Sequence, residues 1–366
     1  MIINLDEKNL AKCRRLLSFK EDNISAAEIY IEYLNYHYNE ITEKDIDSLK
    51  QKYPNNAYYK AFLNKLLIDE NDEEFKSINK TSKIDKIECL DVKEFYDDEY
   101  AKNVICKNIN EGNWYLTHLN YEPYEGFVYD EIIVDDEYYQ EHTPFGYFKV
   151  NFNYLAVIED EAIWMSVIPH EINTMKKPIK DAFGNVLVLG LGLGYYLYHI
   201  ALKEDVEKIT VIENDDKVID IFTRYIFPHF KNKEKIHIIH QDAFAHLDER
   251  ADYDFVFADI WHNVNDGLGL YLKIKQYETL YPNTKFEYWI ETSLLAMLRR
   301  QTLTVFEEQS FDKLSEKEYL KARTFNDKVI NAIYFALKDY KINNFDDLHH
   351  LLSDASLKEL AKKLKI

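Results

Sequence analysis

Three glycines stand inside one uncharged run, and this stretch limits the folds open to the chain more than any other. The run covers residues 186–202 and holds Gly190, Gly192 and Gly194 at alternate positions. Its length is near the lower limit for a bilayer-spanning helix, but the glycines, three tyrosines and a histidine argue against a membrane span. The residues before the glycines are typical of a buried strand, and those after them of a buried helix. The stretch therefore predicts a strand, a tight turn and a helix.

The same alternation of apolar strand and helix continues through residues 185–291. The predicted strands are 186–189, 208–212, 236–239, 254–258 and 286–290. The predicted helices between them are 195–203, 216–227, 243–248 and 268–280. Near-continuous apolar strands alternating with helices are typical of a parallel sheet covered on both faces. With right-handed crossovers, the sequence predicts an α/β fold with a Rossmann-like, doubly wound, mostly parallel sheet.

Regions of different character flank this core. Residues 1–122 carry apolar residues at helical spacing and predict a helical N-terminal domain. Residues 123–180 are rich in β-branched and aromatic residues and predict a β-hairpin region with a linker helix. The core itself is placed at 181–291, and residues 292–366 predict C-terminal helices.

The charge of the chain excludes some classes of partner. The chain has 366 residues with 45 Lys and Arg against 65 Asp and Glu, a net charge of −20. Nucleic acids and anionic membranes are usually met by basic surfaces, so we expect neither as a partner. The three cysteines are widely spaced, make no metal pattern and suit a reducing compartment. Because the N-terminus also lacks a signal-peptide pattern, we expect a cytoplasmic protein without a metal site.

A carboxylate follows each of the next three predicted strands, at Glu213, Asp242 and Asp259. Ligands of open α/β sheets bind where the strands end. Glu213 is placed to accept hydrogen bonds from ribose hydroxyls, and Asp242 suits the edge of a base. An alternative is that these acids only cap helices, above all Asp242, which precedes a short predicted helix.

The spacing of the glycines separates two classes of nucleotide site. NAD sites use G-x-G-x-x-G, whose third glycine would fall where this chain has Tyr195. The G-x-G-x-G spacing is instead that of enzymes that bind S-adenosylmethionine (SAM). A set of acids without a partner for a pyrophosphate also suits a ligand that has no phosphate.

Residues 185–262 resemble the class I SAM-dependent methyltransferases, and residues 126–265 resemble the spermidine synthase-like branch of that superfamily. Val188 is aliphatic where ordinary members of the class often carry an acid, and "IENDDKVIDIFTRYIFPHF" is similar to the acid and helix after strand two of spermidine synthases. The resemblance implies SAM as the cofactor. The cofactor-binding residues that it and the strand ends predict are Gly190, Gly192, Gly194, Tyr195, Glu213, Asn214, Asp242, Ala243 and Asp259.

Two positions depart from that branch. Aminopropyltransferases carry an acid between the last two glycines of the loop, where this chain has Leu193. They also carry the motif D-x-x-D-P after strand four, and this chain has His262 in place of the second Asp of that motif. Of the carboxylates that would hold the ammonium groups of a polyamine, only Asp259 remains. A second ammonium group would then be buried without a carboxylate partner, which is energetically costly. We therefore predict a SAM-dependent methyltransferase that acts on a small acceptor that is not polycationic.

Asp259 and His262 are the predicted catalytic residues, with His262 as the base if the acceptor must lose a proton. Trp261 between them could stack on a planar group or close the core. Two alternatives remain open. One is a non-catalytic SAM-fold protein that binds a protein partner, or a second copy, through its helical flanks. The other is an aminopropyltransferase of the spermidine synthase type.

Overall fold

Helices form most of the N-terminal region of the computed structural model, which describes residues 1–321 and 323–365. They are α1 (Glu7–Tyr36), α2 (Glu43–Lys50), α3 (Ala57–Lys65), α4 (Glu73–Ser82), α5 (Val92–Tyr96) and α6 (Glu99–Asn103), with the short strands β1 (Ile2–Ile3) and β2 (Ile87–Cys89). Side-chain caps start several of these helices, as Asp6 does for α1 and Asp72 for α4. The helices pack on a largely aromatic core that includes Tyr33, Phe62 and Phe145.

The chain then forms a series of mostly antiparallel strands. They are β3 (Ile109–Glu111), β4 (Trp114–Tyr121), β5 (Gly126–Val128), β6 (Ile133–Val134), β7 (Glu141–His142), β8 (Phe145–Tyr147), β9 (Phe152–Glu159) and β10 (Ala162–Ser166). One sheet has the order β10-β9-β4-β3, and β9 and β10 form a hairpin. Strands β2, β3 and β4 lie within residues 1–122, so the prediction that this range is helical is corrected there.

The central region alternates helix and strand as predicted. Its elements are α7 (Pro169–Asp181), β11 (Gly184–Leu189), α8 (Tyr195–Ala201), β12 (Val206–Glu213), α9 (Asp216–Ile221), β13 (Ile236–His240), α10 (Ala243–Asp248), β14 (Phe255–Ala258), α11 (Val264–Glu278) and β15 (Lys285–Tyr288). All strands of this sheet are parallel, in the order β13-β12-β11-β14-β15. The predicted α/β, Rossmann-like, doubly wound fold is therefore confirmed.

The burial of β11 explains why its residues are uniformly apolar. Val186, Leu187 and Leu189 have no exposed surface, because the strand lies in the middle of the sheet. The strand order reverses beside β11, since the chain runs outward to β13 and then crosses back to β14. This reversal opens a crevice at the carboxyl ends of β11 and β14, where open α/β sheets bind ligands.

Helices follow the sheet to the C-terminus. They are α12 (Glu291–Glu307), α13 (Glu316–Tyr319), α14 (Phe325–Leu337), α15 (Phe345–Leu351) and α16 (Asp354–Ala361), with the short strand β16 (Lys341–Ile342) before α15. Strand β16 pairs in parallel with β1, and Leu16 shares a buried cluster with Phe306 and Ile342. The N-terminal and C-terminal helices therefore pack against each other. No helix in the described part of the chain is long and apolar enough to cross a membrane.

Candidate functional site

A cavity of about 700 Å³ opens where strands β11 to β14 end, and we call it the strand-end cavity. Its volume is within the usual range of small-molecule sites. The acidic side chains that line it are Glu171, Glu213, Asp215, Asp242 and Asp259. No Lys or Arg is among the described residues that line it. The described walls therefore carry five acidic side chains, with His262 as their one basic side chain.

The glycine loop after β11 forms one wall of this cavity and depends on its glycines for different reasons. Gly190 has φ +96°, and an added Cβ would lie 1.9 Å from the backbone oxygen of Asp259. Gly192 has φ +52°, but an added Cβ would meet only the Met165 sulfur at 3.8 Å. Gly190 thus allows β11 and β14 to end side by side, whereas Gly192 lines the cavity and has open space beside it.

The carboxylate of Glu213 holds the glycine loop and the turn after β12 together. Its Oε2 accepts a hydrogen bond from the Leu191 N–H at 3.0 Å, and its Oε1 accepts from the N–H groups of Asn214 and Asp215 at 2.8 and 2.9 Å. Glu213 lines the cavity as predicted, but its carboxylate is not a free ligand group. Since a carboxylate has about four acceptor positions, this one can still accept from a ribose hydroxyl.

Asp242 lies at the start of α10, and its two oxygens have different surroundings. Oδ1 accepts from the N–H groups of Phe244 and Ala245 at 3.0 and 2.9 Å, so Asp242 is the N-cap of this helix. Asp242 and Ala243 also line the cavity. The helix cap that we considered as an alternative is therefore present, and it uses Oδ1 rather than Oδ2.

Asp259 and Glu171 bring two carboxylates to the same cavity, although Glu171 lies before the central sheet in the sequence and Asp259 lies within it. Asp259 follows β14, and burial together with the carboxylates of Glu171 and Glu213 raises its pKa well above the usual range. Glu171 lies in the first turn of α7, two residues after Pro169, and is half-buried. We did not predict Glu171 as a site residue, because nothing in residues 168–171 repeats the strand-end pattern that identifies the other acids.

The predicted catalytic His262 lies at the mouth of the cavity. Its side chain is 55% exposed, and its Nδ1 lies 3.1 Å from Asp266 Oδ2. Trp164 of the β9–β10 hairpin packs edge-on against the imidazole, with 4.7 Å between the ring centroids. Trp261 is buried against Gly267 of α11 and also lines the cavity.

The hairpin and the N-terminal region supply contacts that we did not predict. Residues 163–167 of the hairpin line the cavity. Tyr195 lines it as well, but its hydroxyl donates to Asp98 of the N-terminal region at 3.1 Å. Asp98 and Tyr195 are 97 positions apart in the sequence.

Comparison with known proteins gives a consistent set of relatives. Residues 167–278 match the family described as "Spermine/spermidine synthase domain". The polyamine aminopropyltransferase of Clostridium botulinum (strain Eklund 17B / Type B) is 26% identical over 176 residues, which cover 44% of this chain and 58% of that protein. The "eEF1A lysine and N-terminal methyltransferase homolog" of Drosophila pseudoobscura pseudoobscura is 29% identical over 119 residues, 32% of this chain and 17% of that protein.

The crystal structure of spermidine synthase from Thermotoga maritima superposes with a TM-score of 0.30 and 14% identity, over 41% of this chain and 59% of that chain. The fold assignment rests on the strand order rather than on this superposition. The chain spans about half the length of the curated aminopropyltransferases that it matches.

The prediction of a methyltransferase whose acceptor is not polycationic is wrong. Several of the similar proteins are named polyamine aminopropyltransferases, and the matching family is that of spermine and spermidine synthases. The prediction failed because it counted carboxylates only at the two family positions, which hold Leu193 and His262. Glu171 of α7 supplies a carboxylate close enough to Asp259 to raise its pKa.

The matched range contains the glycine loop and all the acidic residues that line the strand-end cavity. Its strand order is that of a Rossmann-like sheet. The resemblance to the spermidine synthase-like branch of the class I SAM-dependent methyltransferase superfamily is therefore confirmed for the core of the chain.

Proposed function

We propose that the protein transfers an aminopropyl group from decarboxylated SAM to an amine. The charge of the strand-end cavity carries this proposal, because five carboxylates line it and no Lys or Arg is among its described lining residues. Carboxylates that share a partly dry cavity raise each other's proton affinity, and a cationic ligand relieves that repulsion. A ligand with phosphates would instead increase the electrostatic repulsion in the cavity. The named relatives support the same reaction.

The same charge favours decarboxylated SAM over SAM as the donor. Both carry a sulfonium and an ammonium group, but SAM also carries a carboxylate beside its ammonium. That carboxylate would enter a cavity among whose described lining residues there is no Lys or Arg to pair with it. A buried anion without a partner is strongly disfavoured, whereas decarboxylated SAM has only cationic groups to bind.

The proposed roles divide the cavity into a nucleoside half and an amine half. Glu213 would accept from the ribose, and Asp242 from the edge of the base. The rest of the proposed nucleoside half comprises Gly190, Gly192, Gly194, Tyr195, Asn214 and Ala243. Asp259 and Glu171 would form the amine half. Both carboxylates line the cavity and interact with each other, whereas the sequence alone indicated only one carboxylate for an ammonium group.

The reaction is a displacement at the methylene carbon next to the sulfonium. The nitrogen lone pair of the acceptor forms the new C–N bond while the C–S bond breaks, and that electron pair returns to sulfur, which becomes a neutral thioether. The acceptor nitrogen loses one proton. Asp259 is the proposed proton acceptor, since a raised pKa makes its carboxylate a stronger base. The protein aligns the two reactants and keeps water out.

Mass spectrometry of the products tests this proposal. We expect decarboxylated SAM and a set of amines, including putrescine and longer polyamines, to give an aminopropylated amine and an equal amount of 5′-methylthioadenosine. SAM with the same amines should give little product. Transfer of a methyl group from SAM without any aminopropyl transfer would overturn the proposal, as would binding of the nucleoside with no turnover on any amine.

Glu171→Gln tests the proposed role of Glu171, the carboxylate that the sequence-based prediction of the site did not include. Removing one carboxylate from an ammonium site costs roughly 1.5–3 kcal/mol, which corresponds to a loss of about 10- to 150-fold in kcat/KM. Glu207→Gln is the matched control, because Glu207 is exposed on β12 away from the cavity. Equal activity of both variants would remove Glu171 from the amine half.

A further inference from the structure

The N-terminal segment at the start of α6 contacts the glycine loop but does not line the strand-end cavity. The Tyr100 hydroxyl donates a hydrogen bond to the backbone oxygen of Leu193 at 2.6 Å. Two residues earlier, Asp98 accepts from the Tyr195 hydroxyl at 3.1 Å and lies 3.2 Å from His199 Nε2. Asp98 also caps α6 through the backbone N–H groups of Tyr100 and Ala101. One short segment of the N-terminal region thus holds both the loop and the helix that follows it.

The bond from Tyr100 fixes one peptide unit of the loop at both ends. The carbonyl of Leu193 accepts from Tyr100, and the N–H of the same peptide, on Gly194, donates to the Leu191 oxygen at 3.0 Å. Gly194 has φ +73°, and an added Cβ would lie 2.4 Å from the Phe222 ring. Rotation of this peptide would therefore break two hydrogen bonds and move the chain where the loop turns into α8.

Tyr100 forms this hydrogen bond from outside the strand-end cavity. It is 2% exposed, and its ring packs against those of Tyr195 and Tyr198, with centroids 5.5 and 5.6 Å away. It is not among the residues that line the strand-end cavity. Burial raises the pKa of its hydroxyl well above 10, so the group stays protonated and remains a donor. Without it, the Leu193 carbonyl would be left buried and unpaired, which costs more than the net value of the bond.

We propose that Tyr100 is a positioning residue for the donor site, which holds the glycine loop in the conformation that binds the nucleoside. The inference rests on the nucleoside half of the proposed function and does not depend on which group is transferred. It gives the N-terminal region a role in the site, because the bond joins residues 93 positions apart. A loop that is free to rotate must be ordered by the ligand, and that ordering reduces the affinity.

Tyr100→Phe removes the hydroxyl and keeps the ring. The experiment measures the affinity for 5′-methylthioadenosine by titration calorimetry and the melting temperature of each protein. The matched control is Tyr281→Phe, because the buried Tyr281 hydroxyl also donates to a backbone oxygen, that of Leu247, at 2.6 Å, and Tyr281 does not line the cavity. Both variants lose one buried hydrogen bond of the same kind.

We expect Tyr100→Phe to weaken binding by about two- to tenfold, the equivalent of one net hydrogen bond. Tyr281→Phe should lower the melting temperature about as much as Tyr100→Phe does, but it should bind the nucleoside as tightly as the unmodified protein. If Tyr100→Phe lowers only the melting temperature and binds as tightly as the unmodified protein, Tyr100 is structural and the inference fails. If the unmodified protein does not bind the nucleoside, the proposed donor site fails and this inference fails with it.

Discussion

Glu213 Oε2 lies 3.0 Å from the backbone nitrogen of Leu191, so the acid at the end of β12 holds the glycine loop at the end of β11. The same carboxylate accepts two more N–H groups from its own turn. A residue that we propose as a ligand-binding group therefore also holds the wall of the cavity in place. This double role changes what substitution of Glu213 should do.

Glu213→Ala should lower both ligand affinity and stability. Three backbone N–H groups lose a charged acceptor, and in a half-buried position we expect the free energy of unfolding to fall by about 1–3 kcal/mol. Calorimetric titration with 5′-methylthioadenosine and urea unfolding measure the two effects. A variant that loses affinity at unchanged stability would show that the three bonds contribute little to the fold.

Substitutions of two loop glycines should separate packing from ligand access. Gly190→Ala adds left-handed strain of about 1–2 kcal/mol and a clash with the backbone oxygen of Asp259 that costs about 1–3 kcal/mol more. Gly192→Ala should cost only the strain, because open space surrounds it, but it should weaken nucleoside binding. Unfolding in urea checks the order of stability. Gly112→Ala is the control, with φ +71° and no atom within 4 Å of an added Cβ.

Asp259→Asn should stabilise the unliganded protein near neutral pH while it removes activity. Burial and the carboxylates of Glu171 and Glu213 raise the pKa of Asp259 above its unfolded value of 3.8. The folded state therefore loses stability as the pH rises past 3.8, and the amide avoids this loss. The stability advantage of the variant should vanish near pH 3, where the carboxyl is neutral in both states.

Loss of a general base should lower kcat/KM for aminopropyl transfer by roughly 10²- to 10⁴-fold in the same Asp259→Asn variant. Asp242→Asn is the control for stability, because asparagine caps a helix as well as aspartate does. Melting curves from pH 3 to 8, with product analysis at neutral pH, measure both effects. A variant less stable than the unmodified protein at neutral pH would contradict the proposed repulsion.

Glu111 should contribute to stability only above an acidic pH range. It accepts from Lys217 at 2.7 Å and also contacts Arg224 and Tyr225, and these hydrogen bonds, from Arg224 first, lower its pKa from 4.5 to about 2. Because the folded pKa is depressed, the contribution is present above about pH 4.5 and is lost as the pH falls through about 2. The melting temperatures of the unmodified protein and Glu111→Gln should therefore converge over this range.

Salt provides a second check on the Glu111 contacts. Arg224 is 43% exposed and Lys217 is 30% exposed, so water and ions reach the pairs. We expect the difference between the unmodified protein and Glu111→Gln at neutral pH to shrink as salt rises from low concentration toward 1 M. A difference that does not depend on salt would indicate lost packing rather than lost charge.

The sequence alone determined the central sheet and one half of the candidate site. Apolar strands, glycine spacing and strand-end acids are local patterns, and they placed Gly190, Glu213, Asp242 and Asp259 around one cavity because parallel strands end at the same edge. These features need only the order of elements and the direction of the strands. The resemblance to the spermidine synthase-like branch followed from the same local residues and is confirmed.

Only the tertiary structure decided which carboxylates and which donors complete the site. Glu171 reaches the cavity because α7 packs beside α8, and Tyr100 reaches Leu193 across 93 positions because α6 packs behind the loop. Such contacts depend on how helices of distant segments are oriented, and periodicity in sequence carries no information on that orientation. The prediction of an acceptor that is not polycationic was wrong. It counted carboxylates only at particular positions of a motif and missed Glu171, which lies near Asp259 only in the folded chain.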